Sequence, residues 1–213
     1  MAHGLRDSRL RRADGGPPIR VCYLAGDEEG ASGVAQAAEY ALSRFTEWFG
    51  PRPTESTLTF IEVPDGWGSQ TDVTTIIQSA GAFTDPSRHR EVYHEVSHLW
   101  NVMQTDSPSP RWEEGLASFL EFLLKEEVAG EPAVAQLAEW LFGVLEESIE
   151  RRPELRGVPL IEYGKENLTD ISYRSGALFF DLLFASRGAR ASIASSRSTS
   201  RPTAKREGRP WIS

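Results

Sequence analysis

Cysteine is nearly absent from this chain: Cys22 is the only one among 213 residues. Internal disulfides and cysteine-built metal sites are excluded on that count alone. Histidine is scarce too, with only His3, His89, His94 and His98. Any metal held here must rest on those imidazoles and on carboxylates. Long apolar runs are also missing. The longest, GALFFDLLFA at 176–185, has ten residues and includes Asp181. A membrane-spanning helix needs roughly twenty, so no span is expected. No apolar segment follows the Arg-rich start, so no secretory signal is expected either. A lone cysteine suits a reducing cytosol, which favours a soluble, cytoplasmic protein over an envelope location. The hydrophobic share of 39% and the charged share of 25% fit a globular protein. They exclude collagen, coiled coil and whole-chain disorder.

Positive charge is lacking from most of the chain and concentrated at one end. The formal net charge is −8, yet residues 187–213 hold seven basic residues and a single acid, Glu207. The remainder is therefore strongly acidic, which argues against nucleic acid as the ligand of the body. The end segment is Ser/Arg-rich, with only Ile193, Trp211 and Ile212 as large apolar residues. It is expected to be a disordered basic tail, because it cannot bury enough surface to offset its ordering entropy. A change of reading frame or gene model after about Ser186 would give the same abrupt shift in composition.

Patterning divides the rest. Residues 1–18 read as a flexible leader ending in Gly15-Gly16-Pro17-Pro18. Strands are expected at 19–25, 56–64 and 73–79 from their alternation and β-branched content. Between the first two, a helix is expected over 32–49, capped by Ser32 and stopped by Gly50-Pro51. Further helices are expected over 87–103, 111–128, 132–150 and 171–185, from apolar residues recurring at helical spacing. This gives an α+β fold, a strand-containing lobe over 19–86 and a helical lobe over 87–186. No internal repeat is visible.

The chemistry lies in HREVYHEVSHLW at 89–100. His94 and His98 are four apart, so on a helix they share a face and can reach one ion. Val92, Val96 and Leu99 fall on a different face, which frees the imidazoles from the core. Glu95 sits about 100° round the helix from His94, poorly placed as a ligand and well placed to take a proton from water beside the ion. A catalytic zinc needs a third protein ligand. His89 is five residues before His94 and points elsewhere. A carboxylate from the helix beginning RWEEGLASFLEF at 111–122 is the natural donor, with Glu113, Glu114 and Glu121 as candidates.

HEVSHLWN at 94–101 followed by WEEGLASFLE at 112–121 resembles the membrane alanyl aminopeptidase family of zinc peptidases, a gluzincin group. ISYRSGALFFDLL at 171–183 resembles that family's S-Y-x-K-G helix. The resemblance implies a thermolysin-like gluzincin catalytic domain over about 19–186 and one zinc ion. His94, His98 and Glu114 would be its ligands, Glu95 the general base, and Tyr173 the donor to the oxyanion. It implies a peptide substrate, with Gly68, Ser69 and Gln70 in a loop walling the cleft, where an extended peptide could lie by strand addition. Trp67 in the same loop would floor a side-chain pocket or pack on its own domain. The chain departs from the family in three places. The spacer between His98 and Glu114 is fifteen residues, shorter than usual; Ser175 stands for the Lys of the tyrosine block; and VPDGWGSQ at 63–70 lacks the G-x-M-E-N loop that grips the substrate's amine. A free N-terminus is therefore expected to give little advantage, unless an acid such as Asp65 reaches the cleft. The family's flanking domains do not fit into this length. A non-enzymatic alternative is a truncated, inactive remnant acting as a binding or scaffold fragment.

Overall fold

The computed structural model describes residues 5–10, 15–100, 110–159, 162 and 173–187. The architecture is mixed α+β, with one five-stranded sheet followed by helices. The strands are β1 (Leu5–Leu10), β2 (Ile19–Leu24), β3 (Leu58–Val63), β4 (Gln70–Thr71) and β5 (Thr75–Ser79), in sheet order β1-β2-β3-β5-β4. β2, β3 and β5 run parallel, and the two edge strands run antiparallel to their neighbours. Parallel neighbours need a crossover, and helix α1 (Glu28–Phe49) supplies it between β2 and β3.

The alternation read in the sequence sets which face is buried. Ile19, Val21 and Tyr23 of β2 and Leu58 and Phe60 of β3 point into the core. α1 closes over them with Val34, Ala38, Ala41, Leu42 and Phe45, and its alanines allow a close approach to the sheet. The helix begins one turn earlier than expected. Asp27 precedes it, Glu28 and Glu29 favour its positive end, and Ser32 lies inside it rather than capping it.

The expected leader contains a strand. Leu5–Leu10 pairs with β2 from Leu5↔Leu24 to Leu10↔Ile19, and Asp7 accepts from Arg20 at 3.3 Å. Its composition hides it, because a charged, mostly exposed strand suits a sheet edge and needs little apolar surface. The expected tail beyond residue 187 lies outside the described residues.

After β5 come a short helix α2 (Gly81–Thr84), a 3₁₀ turn (Pro86–Arg88) and α3 (His89–Ser97). α3 is shorter than the expected 87–103. Its last turn tightens, with the amides of Leu99 and Trp100 bonding back three residues to Val96 and Ser97. Residues 101–109 lie outside the described residues. α4 (Pro110–Ala129), α5 (Ala133–Arg151) and α6 (173–187) complete the helical portion. α3 packs against both α1 and α4. Its Val92 and Val96, and Leu99 in the turn that follows, join the same core as Phe45 and Leu124.

Candidate metal centre

The register of α3 that buries Val92 and Val96 turns His94 and His98 toward α4. Glu114 Oε2, in the first turns of α4, lies 3.1 Å from His94 Nε2 and 3.5 Å from His98 Nε2. One ligand atom from each of the three residues falls within 4.8 Å of the others, so the cluster could hold a metal ion. Two imidazole nitrogens and one carboxylate oxygen form a donor set suited to zinc. The other two carboxylates weighed from the sequence go elsewhere. Glu121 accepts from His94 Nδ1 at 3.1 Å and pairs with Arg90. That bond orients the ring and leaves Nε2 facing Glu114. Glu113 is not in the cluster.

Burial makes these contacts strong. The side chain of His98 is 6% exposed, that of His94 17% and that of Glu114 26%. Burial opposes a charge on His94, but the hydrogen bonds to Glu114 and Glu121 outweigh it and push its pKa up to about 10. Burial likewise opposes the Glu114 carboxylate, and the two imidazoles overcome it, holding its pKa at about 2. Without an ion, His94 is thus an imidazolium shared between two carboxylates. His98 Nδ1 is buried with no hydrogen-bond partner among the described residues.

Glu95 leans toward the sheet edge. Its Oε2 lies 2.7 Å from the hydroxyl of Thr71 on β4, which is also 2.9 Å from the Glu95 carbonyl oxygen. Burial holds its pKa above the ordinary carboxylate value, while His94, Thr71 and His98 pull it back. Glu95, His94, Glu121, Glu91 and Ser69 line a cavity of about 220 Å³. Ser69 Oγ accepts from Gln78 Nε2 at 3.0 Å and from the Ser79 amide at 3.2 Å, which pins the loop to β5. Gln70 pairs with Ile77, so part of the loop is strand β4 and forms the sheet edge beside α3. Gly68 occupies the preceding turn with φ 75°, a backbone shape that glycine adopts freely.

The remaining residues singled out from the sequence fall into three places. Tyr173 lines a neighbouring cavity of about 390 Å³ with Arg90, Trp140 and Glu121, so Glu121 borders both spaces. His89 packs over Gly33 of α1, away from the cluster, and burial lowers its pKa. Trp67 is 77% exposed, so among the described residues little covers it. Sequence reasoning passed over Thr71, Glu91 and Arg88. Arg88 grips both carboxylate oxygens of Glu91, at 2.9 and 3.1 Å, and approaches Asp65 at 3.4 Å. Spacing alone could have flagged Glu91: residues 91, 94, 95 and 98 form one helical stripe.

No protein-family model matches the chain, and no curated protein matches it. Among solved structures it is similar to a mutant two-domain M1 zinc metallopeptidase bound to L-arginine, at 21% identity and a TM-score of 0.49, over 66% of this chain. It is also similar to two structures of an M1 zinc metallopeptidase from Deinococcus radiodurans. One is 23% identical over 64% of this chain at a TM-score of 0.47, and the other, a mutant, is 21% identical over 73% at 0.48. The chain spans about a third of those chains, 31% to 34% of their length. Identities of 21–23% at these TM-scores say nothing about the reaction, which has to be read from the residues themselves.

Proposed function

We propose that the chain is the zinc-binding core of an aminopeptidase-like metallopeptidase, organised as a thermolysin-like catalytic domain over 19–186. The observation that carries this reading is the convergence of His94, His98 and Glu114 beside a small open cleft of about 220 Å³ that also holds Glu95. The donor set fits zinc, and the Glu121 hydrogen bond orients His94 as a ligand. Zinc held there would polarise a scissile carbonyl and supply a nucleophile at neutral pH.

The other roles belong to the chain's own side chains. Glu95 is the general base. Its carboxylate takes the proton of the attacking water and passes it to the leaving nitrogen, and the Thr71 hydroxyl holds it toward the cleft. A basicity raised by burial suits that task, since a base works best with a pKa nearer the working pH. Tyr173 is the donor to the oxyanion in this reading, lining a cavity next to the cleft that Glu121 also borders. An extended peptide lies along the outer edge of β4, whose inner edge β5 already occupies, with Gly68, Ser69 and Gln70 beside it.

The test is hydrolysis of short peptides by the zinc-loaded chain, with and without a chelator. Chelator-sensitive cleavage that zinc restores is the expected result, and cleavage indifferent to metal would end this reading. A second reading is a scaffold fragment with a structural metal. It predicts stoichiometric zinc with no turnover.

A further inference from the structure

The cavity beside Glu95 is lined by three carboxylates, those of Glu91, Glu95 and Glu121, with His94 and Ser69. Apart from His94, which Glu114 and Glu121 share, two arginines stand near, and both are committed. Arg90 is paired with Glu121. Arg88 is divided between Glu91 and Asp65, so one guanidinium serves two carboxylates and the group keeps a net charge of −1. Asp65 is also held by the Gly81 amide at 2.9 Å and does not line the cavity. Glu91 does, with its side chain 23% exposed.

A carboxylate offers about four lone-pair sites. Arg88 occupies two on Glu91, and the Ser79 hydroxyl at 3.4 Å occupies a third. One remains. Glu91 lies three residues before His94 and four before Glu95, so all three project from one face of α3. A substrate group that meets Glu91 is therefore one helical turn from the general base.

We propose that Glu91 is a specificity-determining residue that receives a cationic group of the peptide substrate, an ammonium or a guanidinium, next to the bond being cut. The inference rests on the peptidase reading of the cavity. The acid it puts in the cleft is Glu91, where the sequence suggested Asp65. The cation's source is either the free N-terminus or a basic side chain.

Binding decides the matter without turnover. The full chain carrying Glu95→Gln, loaded with zinc, is titrated calorimetrically with two pairs of peptides. The first pair is tetra-alanine amide with a free or an acetylated N-terminus. The second is an acetylated tripeptide amide with lysine or norleucine at its centre. The cationic member of at least one pair should bind about tenfold or more tightly, about 1.4 kcal/mol; the pair that shows it identifies the source. Adding Glu91→Gln should reduce that preference to about twofold or less at unchanged zinc content. Adding Arg88→Gln should increase it, because Glu91 then loses its competing partner. Damage to the fold alone cannot move the two variants in opposite directions. Equal or absent binding of both members in both pairs, or a preference that survives Glu91→Gln, overturns the proposal. A charge preference in binding without hydrolysis by the zinc-loaded unsubstituted chain would refute the peptidase reading while sustaining Glu91. Hydrolysis without a charge preference would do the reverse.

Discussion

Two helix backbones cross closely beside the candidate centre, and a single methyl group tests the crossing. Gly115 follows Glu114 directly on α4. A Cβ built there would lie 2.6 Å from Gly176 Cα, 2.7 Å from the Gly176 carbonyl carbon and 3.0 Å from the Ala177 nitrogen, all on α6. Those are main-chain atoms, so no rotamer change can relieve the clash, and α6 must shift as a body. Overpacking of this kind costs about 1–3 kcal/mol. Alanine returns up to about 1 kcal/mol through its better helix propensity. Gly115→Ala should therefore destabilise by about 0–2 kcal/mol, a drop of up to roughly 8 °C for a chain of this size. Gly143 on α5 is the internal control, because nothing lies within 4 Å of a Cβ there. Gly143→Ala keeps the propensity gain without the clash and should stabilise by up to about 1 kcal/mol. The two variants are compared by urea unfolding of the zinc-free protein. α6 also carries Tyr173, so turnover in Gly115→Ala should fall while zinc affinity holds. If both alanines stabilise equally, the close crossing of α4 and α6 does not exist and the placement of Tyr173 loses its support.

Other perturbations address the cluster itself. Glu95→Gln should keep zinc and the fold and lower turnover about 10²–10⁴-fold, measured by peptide hydrolysis beside metal analysis. Glu121→Gln should weaken zinc about 10–100-fold in competition with a chelating dye, because His94 loses the bond that orients it. The pH dependence follows from the shifts of His94 and Glu114. The raised His94 contributes stability in full below about 6.5, and that contribution is lost as pH climbs through about 10. The lowered Glu114 contributes in full above about 4.5 and loses it as pH falls through about 2. The stability gap between the metal-free protein and its Glu114→Gln variant should thus be widest near pH 4.5–6.5 and close toward both extremes. A gap that widened toward pH 10 would contradict the ion pair. Zinc uptake near pH 7 should release about one proton, read from calorimetric heats in buffers of different ionisation enthalpy.

What could be read from the sequence was local. The pairing of His94 with His98 depends only on helical spacing. The strands at 58–63 and 75–79 announced themselves by alternation. What could not be read depended on contacts between segments far apart in the chain. Thr71 meets Glu95 across 24 residues, and Arg90 meets Glu121 across 31. Neither pair has a local signature. β1 was missed for a different reason. An edge strand is held by its ladder to β2 and by ion pairs, and its charged residues look like a leader. Glu62 shows the limit of alternation from the other side. It shares a buried face with Leu58 and Phe60, where a hydrophobic residue would be expected, because its carboxylate accepts from the Leu24 amide at 2.7 Å at the end of the parallel strands.

The cluster also has an electrostatic logic that does not depend on the metal. Glu95, Glu114 and Glu121 are gathered in one partly buried space, and three unpaired carboxylates there would repel strongly. Arg90 offsets one of them, and a proton on His94 offsets another by bridging Glu114 and Glu121. Zinc taken up by the cluster would displace that proton and bring two charges, so the site's net charge rises by one while His94 keeps its bond to Glu121. The residues that anchor α3 and the turn after it, Val92, Val96 and Leu99, lie away from the donors in the main core. The arrangement of donors is therefore held by packing on one side and by a proton on the other. A centre built this way is assembled before its metal arrives, unlike a zinc finger, whose fold is bought by the ion itself.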